Sequence, residues 1–332
     1  MKAVVLKELK QPLAVESRPD LEPGSGEVVI QLQAAALNRR DYWITQGLYP
    51  GIQTPIILGS DGAGTVVRCG PEVESTWQGR EVIINPGWHW GDCESSQSDQ
   101  FRILGLPDDG TFAEQVKVPA ACLHAKPGHL PWPAAAALPL AGVTAFRALF
   151  SQGRLQPGES VLINGVGGGV AGMALLFAMA AKSRVFVTSS SDDKLAHAVK
   201  LGASAGFNYR AEQWHRDALQ QHGPMDVIID SAGGDSYARL IELAAPGGRI
   251  VNYGATNGPP PQLDLFKVFW KQLHLIGSTM GSPADFAAML KLVDEHQLQP
   301  IVDHVYPLQE ATQARQCLKD STQFGKVVLS MS

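Results

Sequence analysis

Hydrophobic and polar positions divide the chain into two textures. Over residues 1–125, short β-branched or alternating runs at 3–6, 27–35, 64–68, 80–84 and 111–118 are separated by turn-formers such as Pro23-Gly24-Ser25-Gly26. That spacing predicts an all-β unit, a small barrel or sandwich. Past Pro131-Trp132-Pro133 the pattern changes, and residues 134–138 and 142–150, rich in Ala and Leu, read as helix. From Ser160 onward, apolar strands at 160–164, 184–188, 206–208, 226–230 and 249–253 alternate with helical stretches at 171–181, 194–201, 212–221 and 236–243. Continuously apolar strands, each followed by a helix, predict a parallel sheet covered on both faces. A further strand is expected at 273–279. Residues 284–296 carry Phe286, Met289, Leu290 and Val293 at helical spacing, and Lys326-Val327-Val328-Leu329 reads as a last strand.

At roughly 100–200 residues per domain, 332 residues imply two domains. Charged residues are 18% against a usual ~25%, and 45% are hydrophobic, which excludes a disordered chain. The net charge of -5, with no basic block, argues against nucleic acid or an anionic membrane as partner. The longest apolar run, 170–181, falls short of the ~18 residues a membrane helix needs. The start, Met1-Lys2-Ala3-Val4-Val5-Leu6-Lys7-Glu8, meets a charge before a signal-peptide core can form, so a cytoplasmic location is expected. Cys69, Cys93, Cys122 and Cys317 are far apart, form no CxxC and are expected as free thiols.

The strongest chemical signal is an apolar strand running into Asn164-Gly165-Val166-Gly167-Gly168-Gly169-Val170-Ala171-Gly172 and on into a helix. Gly167, Gly169 and Gly172 satisfy GxGxxG; Gly165, Gly168 and Ala171 satisfy a looser GxxGxxA. In either register the backbone approaches a pyrophosphate that faces a helix N-terminus. An NAD site usually places Asp or Glu at the end of the next strand, about 20 residues on, to accept from the ribose 2′-hydroxyl. Here that place holds Ser189, followed by Ser190, Ser191, Asp192, Asp193 and Lys194. Hydroxyls and a lysine suit a 2′-phosphate, so NADPH is the expected cofactor. Asp192 and Asp193 oppose it unless they point away. No G-x-S-x-G elbow follows a strand, which removes support for a hydrolase.

The chain resembles the medium-chain dehydrogenase/reductase superfamily over essentially its whole length. The resemblance rests on Gly59-Ser60-Asp61-Gly62-Ala63-Gly64-Thr65-Val66, Leu140-Ala141-Gly142-Val143-Thr144-Ala145, the glycine turn, Asp230-Ser231-Ala232-Gly233 and Pro246-Gly247-Gly248-Arg249. It implies an α/β fold: a Rossmann doubly wound parallel sheet (126–281) inserted into a chaperonin-10-like β-rich catalytic domain (1–125 and 282–332). Zinc-dependent members place a Cys, a His-Glu pair and a later Cys or Asp where this chain has Asn38, Ser60-Asp61 and Leu140-Ala141. Catalytic zinc needs about three good donors, so zinc is not expected. The structural-zinc lobe, Gly87 to Glu94, keeps only Cys93; His89, Asp92 and Cys93 are a conceivable metal cluster there. The remaining pattern is similar to the zinc-independent, zeta-crystallin-like quinone oxidoreductases, whose Asn-x-x-Asp pair is Asn38 and Asp41 here.

That branch implies NADPH-dependent hydride transfer to a quinone or α,β-unsaturated carbonyl, in a homodimer joined near 273–279. Asn38 is expected to hydrogen-bond the nicotinamide ribose or the substrate carbonyl. Asp41 would hold Asn38 or Arg40 in place, or act only as a helix-turn acceptor. Tyr42 is a candidate proton donor or aromatic wall, and Thr144 would present its hydroxyl to the cofactor. Gly165, Gly167, Gly168, Gly169, Val170, Ser189, Ser190, Lys194 and Tyr209 are expected around the phosphates. Gly254, Ala255, Thr256, Ser278 and Thr279 are expected at the carboxyl edge of the sheet, with Lys326 reaching the phosphates from the returning strand. Two alternatives stand beside this reading: an alcohol dehydrogenase recruiting zinc through atypical ligands, and a non-catalytic NADPH-binding protein.

Overall fold

The computed structural model describes residues 1–331. The described chain forms two compact units, residues 1–141 with 282–331, and residues 142–281.

The first unit opens with β1 (Lys2–Leu6), β2 (Ala14–Ser17), β3 (Glu27–Ala36), α1 (Arg39–Thr45), β4 (Ile56–Ile57), β5 (Asp61–Cys69) and β6 (Glu81–Ile84). It continues through β7 (Gly87–Trp88), β8 (Arg102–Ile103), β9 (Gln115–Pro119), β10 (Leu123–Ala125) and α2 (Trp132–Ala137); the division between units falls inside α3 (Pro139–Phe146). The second unit holds β11 (Ser160–Ile163), α4 (Gly169–Ala180), β12 (Arg184–Ser189), α5 (Asp192–Lys200), β13 (Ala205–Asn208), α6 (Trp214–His222), β14 (Met225–Asp230) and α7 (Tyr237–Leu243). It ends with β15 (Ala244–Asn252), α8 (Leu265–Trp270) and β16 (His274–Gly277). The chain then returns to the first unit as α9 (Pro283–Glu295), β17 (Val302–Pro307), α10 (Ala311–Asp320) and β18 (Lys326–Ser330).

The main sheet of the first unit runs β10-β6-β5-β3-β18-β17, with β9 also on β3. Its pairings are antiparallel except β17 with β18. A smaller antiparallel sheet, β2-β1-β4, closes one apolar core of Val4, Leu6, Ile44, Leu58 and Phe112. A second core gathers Val28, Ile30, Leu32, Val66, Ile84 and Val116. Strand alternation fills these cores: β3 turns one side toward each, and a register shift between Leu32 and Ala34 readjusts its pairing with β5.

In the second unit six parallel strands lie in the order β13-β12-β11-β14-β15-β16. Relative to the first of them this is the doubly wound 3-2-1-4-5-6 order, whose ligands bind outside the carboxyl ends of the strands. β11 is buried at every position, as a parallel strand covered on both faces must be.

The boundary at residue 125 expected from sequence shifts. Residues 126–141 belong with the first unit, because α2 packs on β3, β5 and β18 and the Leu140 amide donates to Asp61. Helix continues beyond α3 as a π-helical stretch, Arg147–Gln152, and the strand expected from 111 begins at Gln115. The return segment adds β17 and α10, which the hydrophobic pattern does not announce: β17 has only exposed and half-buried positions, and α10 buries just Ala311, Ala314 and Leu318.

Candidate active site: a phosphate-binding turn and a buried lysine cluster

The glycine turn joins β11 to α4. Gly165 and Gly167 take φ of +85° and +130°, and Gly168 is the N-cap of α4. At Gly167 a side chain would be strained and would also meet Lys194, whose Cδ lies 3.0 Å from the place of a Cβ. At Gly165 and Gly168 a Cβ would meet nothing within 4 Å, so the backbone stands open there. Gly169 and Val170 begin α4, half-buried. Open amides at the start of a 12-residue helix make an anion-binding surface.

A chain of buried polar groups holds this turn. Thr188 Oγ1 accepts from the Gly165 amide at 2.9 Å and donates to Asn164 Oδ1 at 2.6 Å. Asn164 Nδ2 donates to Asp230 Oδ1 at 2.7 Å, and Asn252 Nδ2 donates to Asp230 Oδ2 at 2.9 Å. The Tyr237 hydroxyl donates to Asn252 Oδ1 at 2.7 Å, and its phenol is pushed up to about 12 by burial and then by Asp230. Asp230, fully buried, also takes the amides of Ala232 and Gly233. Thr188 next to the end of β12, Asp230 and Asn252 ending β14 and β15, and Asn164 following β11 are thus polar and joined across the carboxyl edge of the sheet. A polar residue closing each apolar run is the signal available for them; Asn164 and Asp230 stand within the quoted motifs, and neither was assigned a role.

At the end of β12, Ser189 is buried and its Oγ accepts from the Ser191 amide at 3.2 Å, while Ser190 is half-buried. Ser191 caps α5 by accepting from the Lys194 amide. Asp192 Oδ1 is engaged by Asn208 Nδ2 at 2.7 Å. Tyr209 is exposed, its amide on the Ser189 carbonyl at 3.1 Å. Gly254, Ala255 and Thr256 are exposed after β15, with the Thr256 amide and hydroxyl on Ser231 O. Ser278 is buried with an unpartnered Oγ, Thr279 is exposed, and Thr144 Oγ1 lies 3.8 Å from Met280 Sδ.

The first unit carries the other cluster. Asn38 is the N-cap of α1, and Asp41 Oδ2 accepts its backbone amide at 2.7 Å. Asn38 Nδ2 donates to Asp61 Oδ2 at 2.9 Å. Lys326, at the start of β18, inserts its ammonium between them, donating to Asp61 Oδ2 at 2.8 Å and to Asn38 Oδ1 at 2.7 Å. The side chains of Lys326 and Asp61 are 4% and 0% exposed, so this ion pair lies outside bulk water. Asp61 Oδ1 accepts from the Leu140 amide at 2.8 Å. Beside it Arg40 donates to Ser60 Oγ at 2.7 Å and to Leu104 O at 2.9 Å. Burial pushes the Asp41 carboxyl up to about 6 against the pull of Arg40, the Asn38 amide and Lys326. Its Oδ1 has no partner.

Arg40 is buried, and its guanidinium lies 5.1 Å from the centre of the Tyr49 ring. Two sequence expectations meet a different arrangement. Lys326, expected at the phosphates, is spoken for by Asp61 and Asn38, because a buried ammonium needs its counter-charge nearby. Among the described residues, no donor cluster of metal-binding size includes His89, Asp92 and Cys93. Tyr42 is half-buried against Trp43, ring centroids 5.1 Å apart.

Comparison with known proteins follows this geometry. Residues 24–128 match the alcohol dehydrogenase GroES-like domain and residues 169–295 the zinc-binding dehydrogenase family. The chain is 36% identical to a zinc-type alcohol dehydrogenase-like protein, YogA, of Leptosphaeria maculans, over 96% of this chain and 94% of that one. It is 30% identical to an acryloyl-coenzyme A reductase of Sulfurisphaera tokodaii over 99% of both. A crystal structure of an NAD-dependent alcohol dehydrogenase superposes with a TM-score of 0.94 at 37% identity, covering 100% of each chain. The chain therefore belongs to the medium-chain dehydrogenase/reductase superfamily, as an alcohol dehydrogenase-like oxidoreductase.

Proposed function

We propose that this oxidoreductase uses NADPH to reduce a quinone or an α,β-unsaturated carbonyl, without a catalytic zinc. The observation that carries the reading is the Lys326 ammonium held 2.8 Å from Asp61 Oδ2. Catalytic zinc takes three protein donors from Cys, His and carboxylates. Here the corresponding places offer an amide (Asn38), a hydroxyl engaged with Arg40 (Ser60) and an aliphatic side chain (Leu140). Asp61 alone is a carboxylate, and its charge is already met by Lys326. This donor set does not fit zinc.

The second unit does fit a nicotinamide dinucleotide. Gly165, Gly167, Gly168 and the start of α4 would take the pyrophosphate, and Ser189, Ser190, Lys194 and Tyr209 the 2′-phosphate end. Asp192 Oδ1 is engaged by Asn208 Nδ2, which offsets part of that carboxylate's repulsion of a phosphate. Gly254, Ala255, Thr256, Ser278, Thr279 and Thr144 are assigned to the remainder, the unpartnered Ser278 Oγ being a ready hydroxyl. When bound, the cofactor supplies the hydride.

The chain's own part is to hold charge. Lys326 has three N–H donors and two protein partners, so one donor is left for a carbonyl oxygen as it gains negative charge. Asn38, fixed by Asp41 and Asp61, positions that ammonium, and Tyr42 is assigned as a proton donor or aromatic wall. A conjugated acceptor spreads the incoming charge and needs less polarisation than an isolated ketone. The relatives named acryloyl-coenzyme A reductases reduce such an acceptor by name.

The reading is tested by titrating NADPH and NADH separately, then screening quinones, enals and enoyl thioesters after chelation, with metal analysis alongside. Tighter NADPH binding and chelator-insensitive turnover are expected. Stoichiometric zinc with loss of turnover on chelation would establish the alcohol dehydrogenase alternative, and NADPH bound but never oxidised would establish the non-catalytic one.

A homodimer is part of the proposal. β16 is an edge strand, and Leu265, Phe266, Phe269 and Trp270 on the adjacent α8 are 61–73% exposed. An apolar patch beside an open edge is covered in most soluble proteins. No described helix is long and apolar enough to cross a membrane, and we keep a cytoplasmic location as part of the reading.

A further inference from the structure

We propose that Asp303, His304 and Cys317 form a binding site for a divalent transition cation of the zinc class, apart from the cluster around Lys326. β17 pairs with β18 through Val302 on Lys326 and His304 on Val327, so Asp303 is the extra residue of a bulge. A bulge re-aims side chains that would otherwise alternate across the strand. Here neighbouring Asp303 and His304 turn to one side, where α10 presents Cys317. One carboxylate oxygen, one imidazole nitrogen and the thiol sulfur lie within 4.8 Å of one another.

The surroundings favour a cation. Asp303 Oδ1 is fixed by the Phe324 amide at 3.1 Å, and its Oδ2 contacts His304 Nδ1. Tyr306 stacks on the His304 ring, centroids 5.9 Å apart and 23° between planes. Cys317 Sγ lies 3.3 Å from Thr322 Oγ1. Asp303 and Cys317 are half-buried and His304 is exposed, so the site is rigid on one side and open on the other.

The donor types choose the ion. Magnesium and calcium want oxygen; nitrogen with sulfur selects zinc and its neighbours. Three protein ligands leave a fourth position for water. Tetrahedral zinc at bond lengths of about 2.0–2.3 Å puts its ligands roughly 3.5 Å apart. The donor atoms of the trio all lie within 4.8 Å of one another, and side-chain rotation can bring them to that spacing. Binding deprotonates the thiol and releases a proton. It would also tie the bulge of β17 to α10 and, through Phe324, to the start of β18.

The test uses Co²⁺ as a spectroscopic substitute, titrated into the chelated full-length protein with thiols reduced. A thiolate-to-cobalt charge-transfer band at one equivalent, displaced by Zn²⁺ and not by Mg²⁺, is expected. Cys317→Ser should abolish the band, and His304→Ala should weaken binding at least about tenfold. Cys93→Ser, which changes the exposed thiol of the other loop, should leave it intact. A band that survives Cys317→Ser, one lost in Cys93→Ser, or none at millimolar Co²⁺ would each overturn the proposal. NADPH titration of the variants confirms that the fold is retained and reads out nothing of this site.

Discussion

The glycine turn and the lysine cluster handle charge by opposite means. The turn meets an anion with backbone amides, so its requirement is the absence of side chains over a few consecutive residues. The cluster meets a carboxylate with an ammonium in a water-free pocket, and its members, Asn38, Asp61 and Lys326, stand far apart in the chain. Backbone sites tolerate small substitutions and fail by strain. Side-chain sites of this kind fail by leaving a charge unpaired, which costs more.

The largest effect should come from breaking the pair. Lys326→Met leaves Asp61 buried without a counter-charge and should cost about 3–5 kcal/mol in urea unfolding. Adding Asp61→Asn removes the orphan charge and should restore part of that loss. Should the double variant prove no better than the single one, the ion pair is not what Lys326 contributes.

Next is Asp41→Asn. The Asp41 carboxyl stands at about 6 against an ordinary 3.8, so the folded chain keeps a proton that the unfolded chain has given up. Stability should therefore fall as pH rises from about 4 to about 6 and level off above, a change of roughly 3 kcal/mol. Asp41→Asn should flatten that slope in Tm measured across the same range while still accepting the Asn38 amide.

How far sequence reaches follows the same division. The turn was legible because its chemistry is local: a strand, glycines and a helix within a dozen residues. The strands of the second unit were legible for a related reason, since β11, β12 and β14 each centre on three consecutive apolar residues and helices separate them. The pairing of Lys326 with Asp61 was not, because 265 residues separate them and nothing local distinguishes a lysine bound for a carboxylate from one bound for a phosphate. The burial of Arg40 is equally non-local, since Ser60 and Leu104 enclose it. β17 and α10 were invisible because one side of each faces solvent and the apolar residues are few. Asp192 shows the finer limit, a carboxylate whose direction depends on Asn208 from the next strand.

Gly167→Ala probes the turn by strain. With φ at +130° and Lys194 Cδ 3.0 Å from the new methyl, about 1–2 kcal/mol of distortion is expected there. NADPH affinity by fluorescence titration should fall about tenfold, while the pH slope due to Asp41 should be unchanged. Loss of that slope would mean that the two regions are coupled.

Lys194→Ala gives the smallest change and the most selective one. The α5 cap should survive, because Ser191 Oγ receives the backbone amide of residue 194 and not its side chain. What is removed is an ammonium lying against the glycine turn, 3.3 Å from the place of a Gly167 Cβ. A half-exposed charge facing a phosphate is worth about 1 kcal/mol and is screened by salt. NADPH should therefore bind about fivefold more weakly and NADH about as before, with the difference shrinking at high ionic strength. Equal losses for both cofactors would move Lys194 from the 2′-phosphate to the pyrophosphate. A loss that ignores salt would show that the lysine acts by packing against the turn and not by its charge.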